Sequence, residues 1–250
     1  MTTTLLIDAD IVAFKIASTS QKAFKFDGPD SPPCLQVDEW EEVAPRLDEL
    51  MQEYLSKTKA DDLIICLSCP TDEGWRKAIY PDYKAHRDYS NRPVYLDRCK
   101  DYLAEHYRSF RKPTMEADDI MGILSTHSKL VPGKRIIVSE DKDLQTIPGW
   151  LWNPAKDAKP RLIAEEQADY FHLYQALIGD TTDGYKGCPG IGPVKAQAIL
   201  QEGKWEAVRS AFVRKGLTEE DALLQARVAR ICRASDYDFK KQEVILWNPQ

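Results

Sequence analysis

Short apolar runs that end in polar or acidic residues punctuate the N-terminal part of the chain. Leu5-Leu6-Ile7 runs into Asp8-Ala9-Asp10. Leu63-Ile64-Ile65-Cys66-Leu67 runs into Ser68, and Arg135-Ile136-Ile137-Val138 into Ser139-Glu140-Asp141-Lys142-Asp143. Trp150-Leu151-Trp152 is a shorter run of the same kind. Unbroken apolar runs of this length predict strands buried on both faces. Between them, over 40–56, 94–107 and 117–130, apolar residues recur at helical spacing. Strands alternating with helices predict an α/β fold with a mainly parallel central sheet flanked by helices. In such sheets ligands sit beyond the carboxyl ends of the strands, and several acidic clusters fall there. From residue 165 the pattern turns mostly helical, and Gly and Pro concentrate over 179–193. Two domains are therefore expected, 1–164 and a helical 165–250. Residues 26–33, rich in Pro and Gly, read as a loop.

Composition narrows the class. Of 250 residues, 43% are hydrophobic and 30% charged, which excludes a wholly disordered chain and a fibre. No apolar run approaches the ~20 residues of a membrane span, and residues 1–6 lack the basic stretch of a secretion signal. A cytoplasmic protein with no membrane partner is expected. The six cysteines are scattered and read as reduced thiols. Cys66 and Cys69 have no second pair with zinc spacing and read as core residues.

Charge adds a partner. The net charge is −6, from 34 cationic and 40 acidic side chains. Eight acids form candidate clusters: Asp8; Glu116, Asp118 and Asp119; Asp141 and Asp143; Asp180 and Asp183. Setting these aside leaves 34 cations against 32 acids, so an acidic total does not argue against a nucleic-acid partner. Each cluster alone has an ordinary explanation. Asp118 and Asp119 would complement a helix dipole, Asp141 and Asp143 would fit a solvated turn, and Asp180 and Asp183 a capped loop. Together, at the edge of one parallel sheet, they would repel and shift one another's pKa. Divalent cations would relieve that repulsion. An all-oxygen donor set selects Mg²⁺ or Mn²⁺ over Zn²⁺, and two ions roughly 4 Å apart suit in-line attack at a phosphodiester. Asp8 is preferred to Asp10 because it adjoins the apolar run directly.

Residues 75–112 hold ten cations against five acids, and six of the eleven tyrosines. Cations bind phosphates and aromatic faces stack on unpaired bases. Tyr95, Tyr102 and Tyr107 lie at helical spacing and are expected in the core. Lys84 and Arg87, after an exposed Pro81-Asp82-Tyr83, are expected to contact phosphate. Further on, Gly187-Cys188-Pro189-Gly190-Ile191-Gly192-Pro193-Val194-Lys195-Ala196 lies between helical patterns. Gly190 and Gly192 let backbone amides approach a phosphate, the following helix offers its positive end, and Lys195 adds a charge. The Pro-Gly-Ile-Gly-Pro run resembles the hairpin of helix–hairpin–helix modules, which grip a DNA backbone without reading sequence.

Taken in order, five pieces resemble the 5′→3′ exonuclease/flap endonuclease family, most nearly its small stand-alone bacteriophage members. They are Leu5-Leu6-Ile7-Asp8, Tyr83-Lys84-Ala85-His86-Arg87, Glu116-Ala117-Asp118-Asp119, Ser139-Glu140-Asp141-Lys142-Asp143, and Gly179-Asp180-Thr181-Thr182-Asp183 leading into the glycine turn. The resemblance spans 5 to about 200. It implies a PIN-like nuclease domain followed by a helix–hairpin–helix subdomain with hairpin 187–196. It implies two Mg²⁺ or Mn²⁺ ions, the first held by Asp8, Glu116 and Asp118 with Asp119 nearby, the second held or tuned by Asp141, Asp143, Asp180 and Asp183. It implies that Asp8, Lys84 and Arg87 serve catalysis, the last two at the base of a helical arch within 75–112. The hairpin would bind duplex DNA and, often in this family, a K⁺ ion. Two departures stand out. The family usually has an Asp after the second core strand, near Ser68; here either Asp72 substitutes through a longer loop or that first-site ligand is absent. Only 28 residues separate Arg87 from Glu116, a short span for a large arch. The expected activity is 5′→3′ exodeoxyribonuclease with flap cleavage, leaving 5′-phosphates, in replication, primer removal or recombination. Expected substrates are DNA with a 5′ end, nick, gap or flap, and RNA–DNA hybrids, cut by a monomer. The alternatives are a non-catalytic DNA-structure-binding protein and a PIN-type ribonuclease.

Overall fold

The computed structural model describes residues 2–25 and 34–249, so the loop expected at 26–33 lies outside the described residues. In chain order the first half carries β1 (Thr3–Asp8), α1 (Ala9–Thr19), β2 (Gln21–Phe24), β3 (Cys34–Val37), α2 (Trp40–Thr58), β4 (Asp62–Leu67), α3 (Trp75–Ile79), α4 (Leu96–His106), β5 (Ser109–Arg111) and α5 (Ala117–Thr126). The second half carries β6 (Lys134–Val138), β7 (Gly149–Trp152), β8 (Arg161–Ile163), α6 (Glu165–Ile178), α7 (Pro193–Glu202), α8 (Trp205–Val213), α9 (Glu219–Ala229), β9 (Tyr237–Asp238) and β10 (Glu243–Val244). The apolar runs are the strands they predicted. They build one sheet in the order β5-β4-β1-β6-β7-β8, parallel except where β8 turns back along β7.

Alternation along the central strands divides the core. Leu5, Ile7, Leu63, Ile65, Ile136 and Val138 face α1, α2 and α4. Leu6, Ile64, Cys66, Ile137 and Leu151 face α5 on the other side. Both faces are covered, which is why the strands read as continuous apolar runs. A third cluster unites α6 to α9 around Phe212, Val208 and Ala226.

Three expectations need correction. First, residues 165–250 are helical only as far as α9. After α9 the chain returns to the sheet body, where Ile231, Cys232, Tyr237, Val244 and Leu246 pack into the α5-side core. Apolar residues this sparse carry no period for the sequence to display. Second, no helical arch rises over 80–95. The chain passes through turns between α3 and α4, and Pro81 and Pro93 near its two ends disfavour helical backbone at residues 80 and 92 before them. Third, Tyr83 is buried rather than exposed. Tyr95, Tyr102 and Tyr107 pack against the first core as expected, and Asp48 accepts hydrogen bonds from the Tyr102 and Tyr107 hydroxyls at 2.7 and 2.6 Å.

Candidate active site

β1 lies between β4 and β6, whose connections leave in opposite directions, so a crevice opens beyond the carboxyl ends of these strands. A cleft of about 1210 Å³ occupies it. Asp8, Glu116, Asp118, Asp141, Asp143, Asp180 and Asp183 all line it, as do Lys84 and Arg87. The residues singled out on four separate segments are thus brought to one place.

Each acid is delivered by a local device. Asp8 ends β1 and caps α1, accepting the Ile11 amide at 3.2 Å. Its other oxygen accepts the Ser139 hydroxyl at 2.7 Å. Glu116 caps α5, and Ser68 accepts the amide of Ala117 at 2.9 Å. Asp141 accepts the Asp143 amide at 2.8 Å in the short turn after β6. Asp180 accepts the amides of Thr182 and Asp183 at 2.7 and 3.2 Å. The position where the family's usual Asp was expected is therefore filled by a capping serine. Its amide donates to Asp10 Oδ2 at 3.0 Å, and Lys100 pairs with Asp10 at 2.6 Å. Asp10 and Asp72 also reach the cleft.

The carboxylates fall into two electrostatic groups. Burial, reinforced by the charge of Asp10, pushes the Asp8 carboxyl up to about 7. Burial and the charge of Asp141 push Asp143 up to about 7 as well. Asp118 rises far above the carboxylate range through burial and the charges of Asp8 and Asp141. Asp141 is raised mainly by burial. These four face one another without enough cations. The second group is compensated. Burial would raise Glu116, but Lys84 and Arg76 outweigh it and hold its pKa down. Lys142, 2.7 Å from Asp180, likewise overcomes the burial of that carboxyl. Asp183 accepts from Arg87 at 2.8 Å and lies 3.7 Å from the Lys84 ammonium.

Asp119 is the exception among the predicted acids. It is fully buried and does not line the cleft. It accepts from Arg76, from the Trp75 indole at 2.9 Å and from the Cys232 amide at 3.0 Å. One residue after Asp118 on a helix, its side chain points some 100° away, which takes it off the cleft wall and into the core. The grouping of Asp119 with the metal ligands is corrected accordingly.

Several participants escaped sequence reasoning. Tyr83 has a single hydroxyl proton to donate, and its hydroxyl oxygen lies 2.9 Å from Glu116 Oε2 and 3.0 Å from Asp183 Oδ2. Its adjacency to Lys84 was the available signal. Lys84 itself has a left-handed backbone, φ 52°, held by the hydrogen bond that its amide donates to the Asp183 carbonyl at 2.8 Å. Non-glycine residues adopt that region at some cost, and functional sites collect such residues. Lys84 pairs with Glu116 as well. Nothing about Arg76 stood out beyond its charge.

The hairpin lies on the helical side. Gly190 has φ 72° and Gly192 caps α7, with Pro193 at the first helical position. A Cβ at Gly192 would meet nothing within 4 Å, and one at Gly190 only the tip of Lys215. The surface above both glycines is therefore open to an approaching ligand. Lys195 donates to the Gly190 carbonyl at 3.1 Å.

Comparison with known proteins follows the same outline. Residues 3–150 match the family model described as 5′-3′ exonuclease, N-terminal resolvase-like domain. The exonuclease of Escherichia phage T7 is 31% identical over 242 residues, covering 81% of this chain and 80% of its own length. The flap endonuclease Xni of Shewanella piezotolerans (strain WP3) is 34% identical over 137 residues, covering 51% of this chain and 54% of that protein. Among solved structures, the T5 D15 protein co-crystallised with metal ions matches with a TM-score of 0.67 at 16% identity, over 91% of this chain and 89% of that one. With its α/β body matched over more than half of its length and its phage relative matched across most of the chain, this protein belongs to the 5′-3′ exonuclease family.

Proposed function

We propose that this nuclease cuts DNA from, or beside, 5′ ends, with a divalent metal as cofactor and Mg²⁺ or Mn²⁺ as the natural choice. The observation that carries this reading is the group of four undercompensated carboxylates, Asp8, Asp118, Asp141 and Asp143, facing Lys84 and Arg87 across one cleft.

The donor chemistry fits a hard cation. All donors are carboxylate oxygens, and the pKa values of Asp8 and Asp143 stay raised although the Lys142 ammonium lies 3.3 Å from Asp143 Oδ1, which marks negative charge that the cations present do not neutralise. Among the described residues no three of these acids stand close enough together to hold an ion without adjustment. Asp8, Asp118, Asp141 and Asp143 would hold the metal, with Glu116, Asp180 and Asp183 joining as their cationic partners turn to substrate. Bound there, a divalent metal supplies Lewis acidity, which activates water and stabilises charge on the leaving oxygen.

The chain's own residues do the rest. Burial would lower the Lys84 pKa, but Glu116 and Asp183 raise it, so the ammonium stays charged and acts as an electrostatic group, not a proton donor. Arg87, partly exposed, offers a planar fork to the scissile phosphate. Tyr83 spaces Glu116 from Asp183. The amides of Gly190 and Gly192, the positive end of α7 and Lys195 hold the duplex backbone, and a K⁺ ion at the hairpin belongs to the same reading. The product carries a 5′-phosphate. RNA–DNA hybrids are expected as further substrates, and a monomer suffices because the cleft is complete within one chain.

The direct test is Asp118→Asn on end-labelled nicked and flapped duplexes. Cleavage in Mg²⁺ should fall by at least about a thousandfold while duplex binding in EDTA changes little. Wild-type turnover in this variant would defeat the assignment.

A further inference from the structure

Arg76 is 3% exposed, and all five of its N–H groups are used. Nε donates to the Val228 carbonyl at 3.1 Å. Nη1 donates to Glu116 Oε2 and to Asp119 Oδ2, both at 2.8 Å. Nη2 donates to Asp119 Oδ1 at 2.8 Å and to the Arg230 carbonyl at 2.6 Å. One guanidinium thus joins two carboxylates at the start of α5 to one backbone carbonyl in the last turn of α9, Val228, and one just after it, Arg230. A buried ion pair is weak evidence for stability, because desolvation consumes most of the attraction. A planar fork with five satisfied bonds does fix orientation.

A separate observation shows the same segment pressed on the same helix. A Cβ at Gly122 would lie 2.2 Å from the Cys232 carbonyl oxygen, so only glycine lets the backbone in. The Cys232 amide donates to Asp119, and the Ala234 amide donates to Thr126 at 2.8 Å. Asp119, Gly122 and Thr126 sit at i, i+3 and i+7, one stripe of α5. The return segment therefore grips α5 along its length on this stripe. Glu116 and Asp118 on that helix's first turn line the cleft.

We propose that Arg76 is a positioning residue through which the return segment, Val228 to Cys232, sets the orientation of Glu116 and of the first turn of α5 in the nuclease cleft. Rate and metal affinity then depend on a stretch far along the chain that never reaches the substrate. This rests on the reading above that the cleft holds a divalent metal.

The test is Arg76→Lys, which keeps the charge and loses the fork. Gly122→Ala is its partner, since it alters no polar side chain and pushes the return segment off α5, the other neighbour being the movable tip of Ile147 at 2.9 Å. The second variant keeps the test open if the first does not fold. Each folded variant is assayed for Mn²⁺ affinity by electron paramagnetic resonance, for steady-state cleavage of a nicked duplex, and for duplex binding in EDTA. The expected result is at least tenfold weaker Mn²⁺ binding and at least tenfold lower kcat, with KM and EDTA-state binding within about twofold of wild type. Wild-type Mn²⁺ affinity and kcat in a variant with a lowered melting temperature would reduce Arg76 to a structural role and overturn the proposal. Absence of Mn²⁺ binding by the wild-type protein itself would instead overturn the metal-site reading on which it rests.

Discussion

At the residue scale, the cleft contrasts two kinds of charged group. Asp8 and Asp143 are carboxylates whose burial, reinforced by neighbouring carboxylates and only partly offset at Asp143 by Lys142, holds their protons up to about 7. Lys84 and Arg87 are cations already engaged by Glu116 and Asp183. Substrate phosphate competes for them on equal chemical terms, anion for anion. Removing the Lys84 ammonium should therefore cost turnover more than affinity. We expect Lys84→Ala to lower kcat by about 10²–10³, the usual loss for one preorganised donor at developing charge, with duplex affinity reduced only a few-fold. Single-turnover cleavage beside a binding titration checks this. A collapse of affinity with the rate of bound substrate intact would make Lys84 a docking contact. The acidic members of this site were legible in the sequence because each follows an apolar run or opens a helix. Tyr83 and Arg76 were not. Their importance is that of donors to Glu116, and a donor's partner is decided by tertiary approach.

At the scale of elements, strands β1, β4, β6 and β7 and helices α2, α4 and α5 were legible because burial on one or both faces writes an apolar run or a period into the sequence, whereas the short strands β2, β3, β5 and β8 to β10 carry neither. The end of α5 was read too long, since the helix stops at Thr126 and His127 accepts the amides of Lys129 and Leu130 in a turn. The return segment was illegible for a different reason. Its grip on α5 uses backbone groups at Val228, Arg230 and Cys232, and backbone groups leave no trace in residue identity. The pairing of α6 with α9 carries its own signature. His172 on α6 is buried and its Nε2 donates to the Ala226 carbonyl on α9 at 2.8 Å. Burial, helped by the charge of Arg230, pushes its pKa down to about 3. The folded state thus keeps this imidazole neutral where the unfolded chain protonates it. Above about 6.5 the group imposes no penalty, and between there and about 3 the unfolded state binds the extra proton, so stability falls as pH falls. The slope amounts to about 1.4 kcal/mol per pH unit at most. His172→Gln keeps a donor and lacks the titration. Urea midpoints between pH 7 and 4 should fall less steeply for this variant than for wild type, and parallel slopes would show that the imidazole titrates freely in the fold.

At the scale of the whole molecule, one body holds both the carboxylate-lined crevice and the helices that present the hairpin. The C-terminal residues close the α5-side core instead of leaving it. The cost of the site is spread over this body as repulsion. For Asp8 and Asp143 the folded pKa lies above the unfolded value, so the folded state binds the extra proton between about 4 and about 7. By linkage, their contribution to stability is undiminished below about 4 and is lost as pH rises through 7, opposite in sign to that of His172. Without divalent metal the protein should therefore become less stable from weakly acidic to weakly alkaline pH as far as these groups are concerned. Glu116, Asp119 and Asp180, with lowered values, act the other way and matter only at more acidic pH. Asp143→Asn removes one of the repelling charges and leaves a neutral group of the same shape. In EDTA at pH 8 it should melt above wild type, by about 2–4 °C for each kcal/mol relieved. The advantage should shrink as pH is lowered toward 4. Added Mg²⁺ should raise the melting temperature of wild type at pH 8 and that of the variant by less, because stabilisation by a bound ligand grows with the logarithm of the ratio of its concentration to Kd and the variant binds more weakly. Differential scanning fluorimetry across pH 4–8, with EDTA and with Mg²⁺, reads all of these shifts. A variant less stable than wild type at pH 8 in EDTA would mean that Asp143 is held by compensating contacts, and that the cleft stores no repulsion at that position for a metal to relieve.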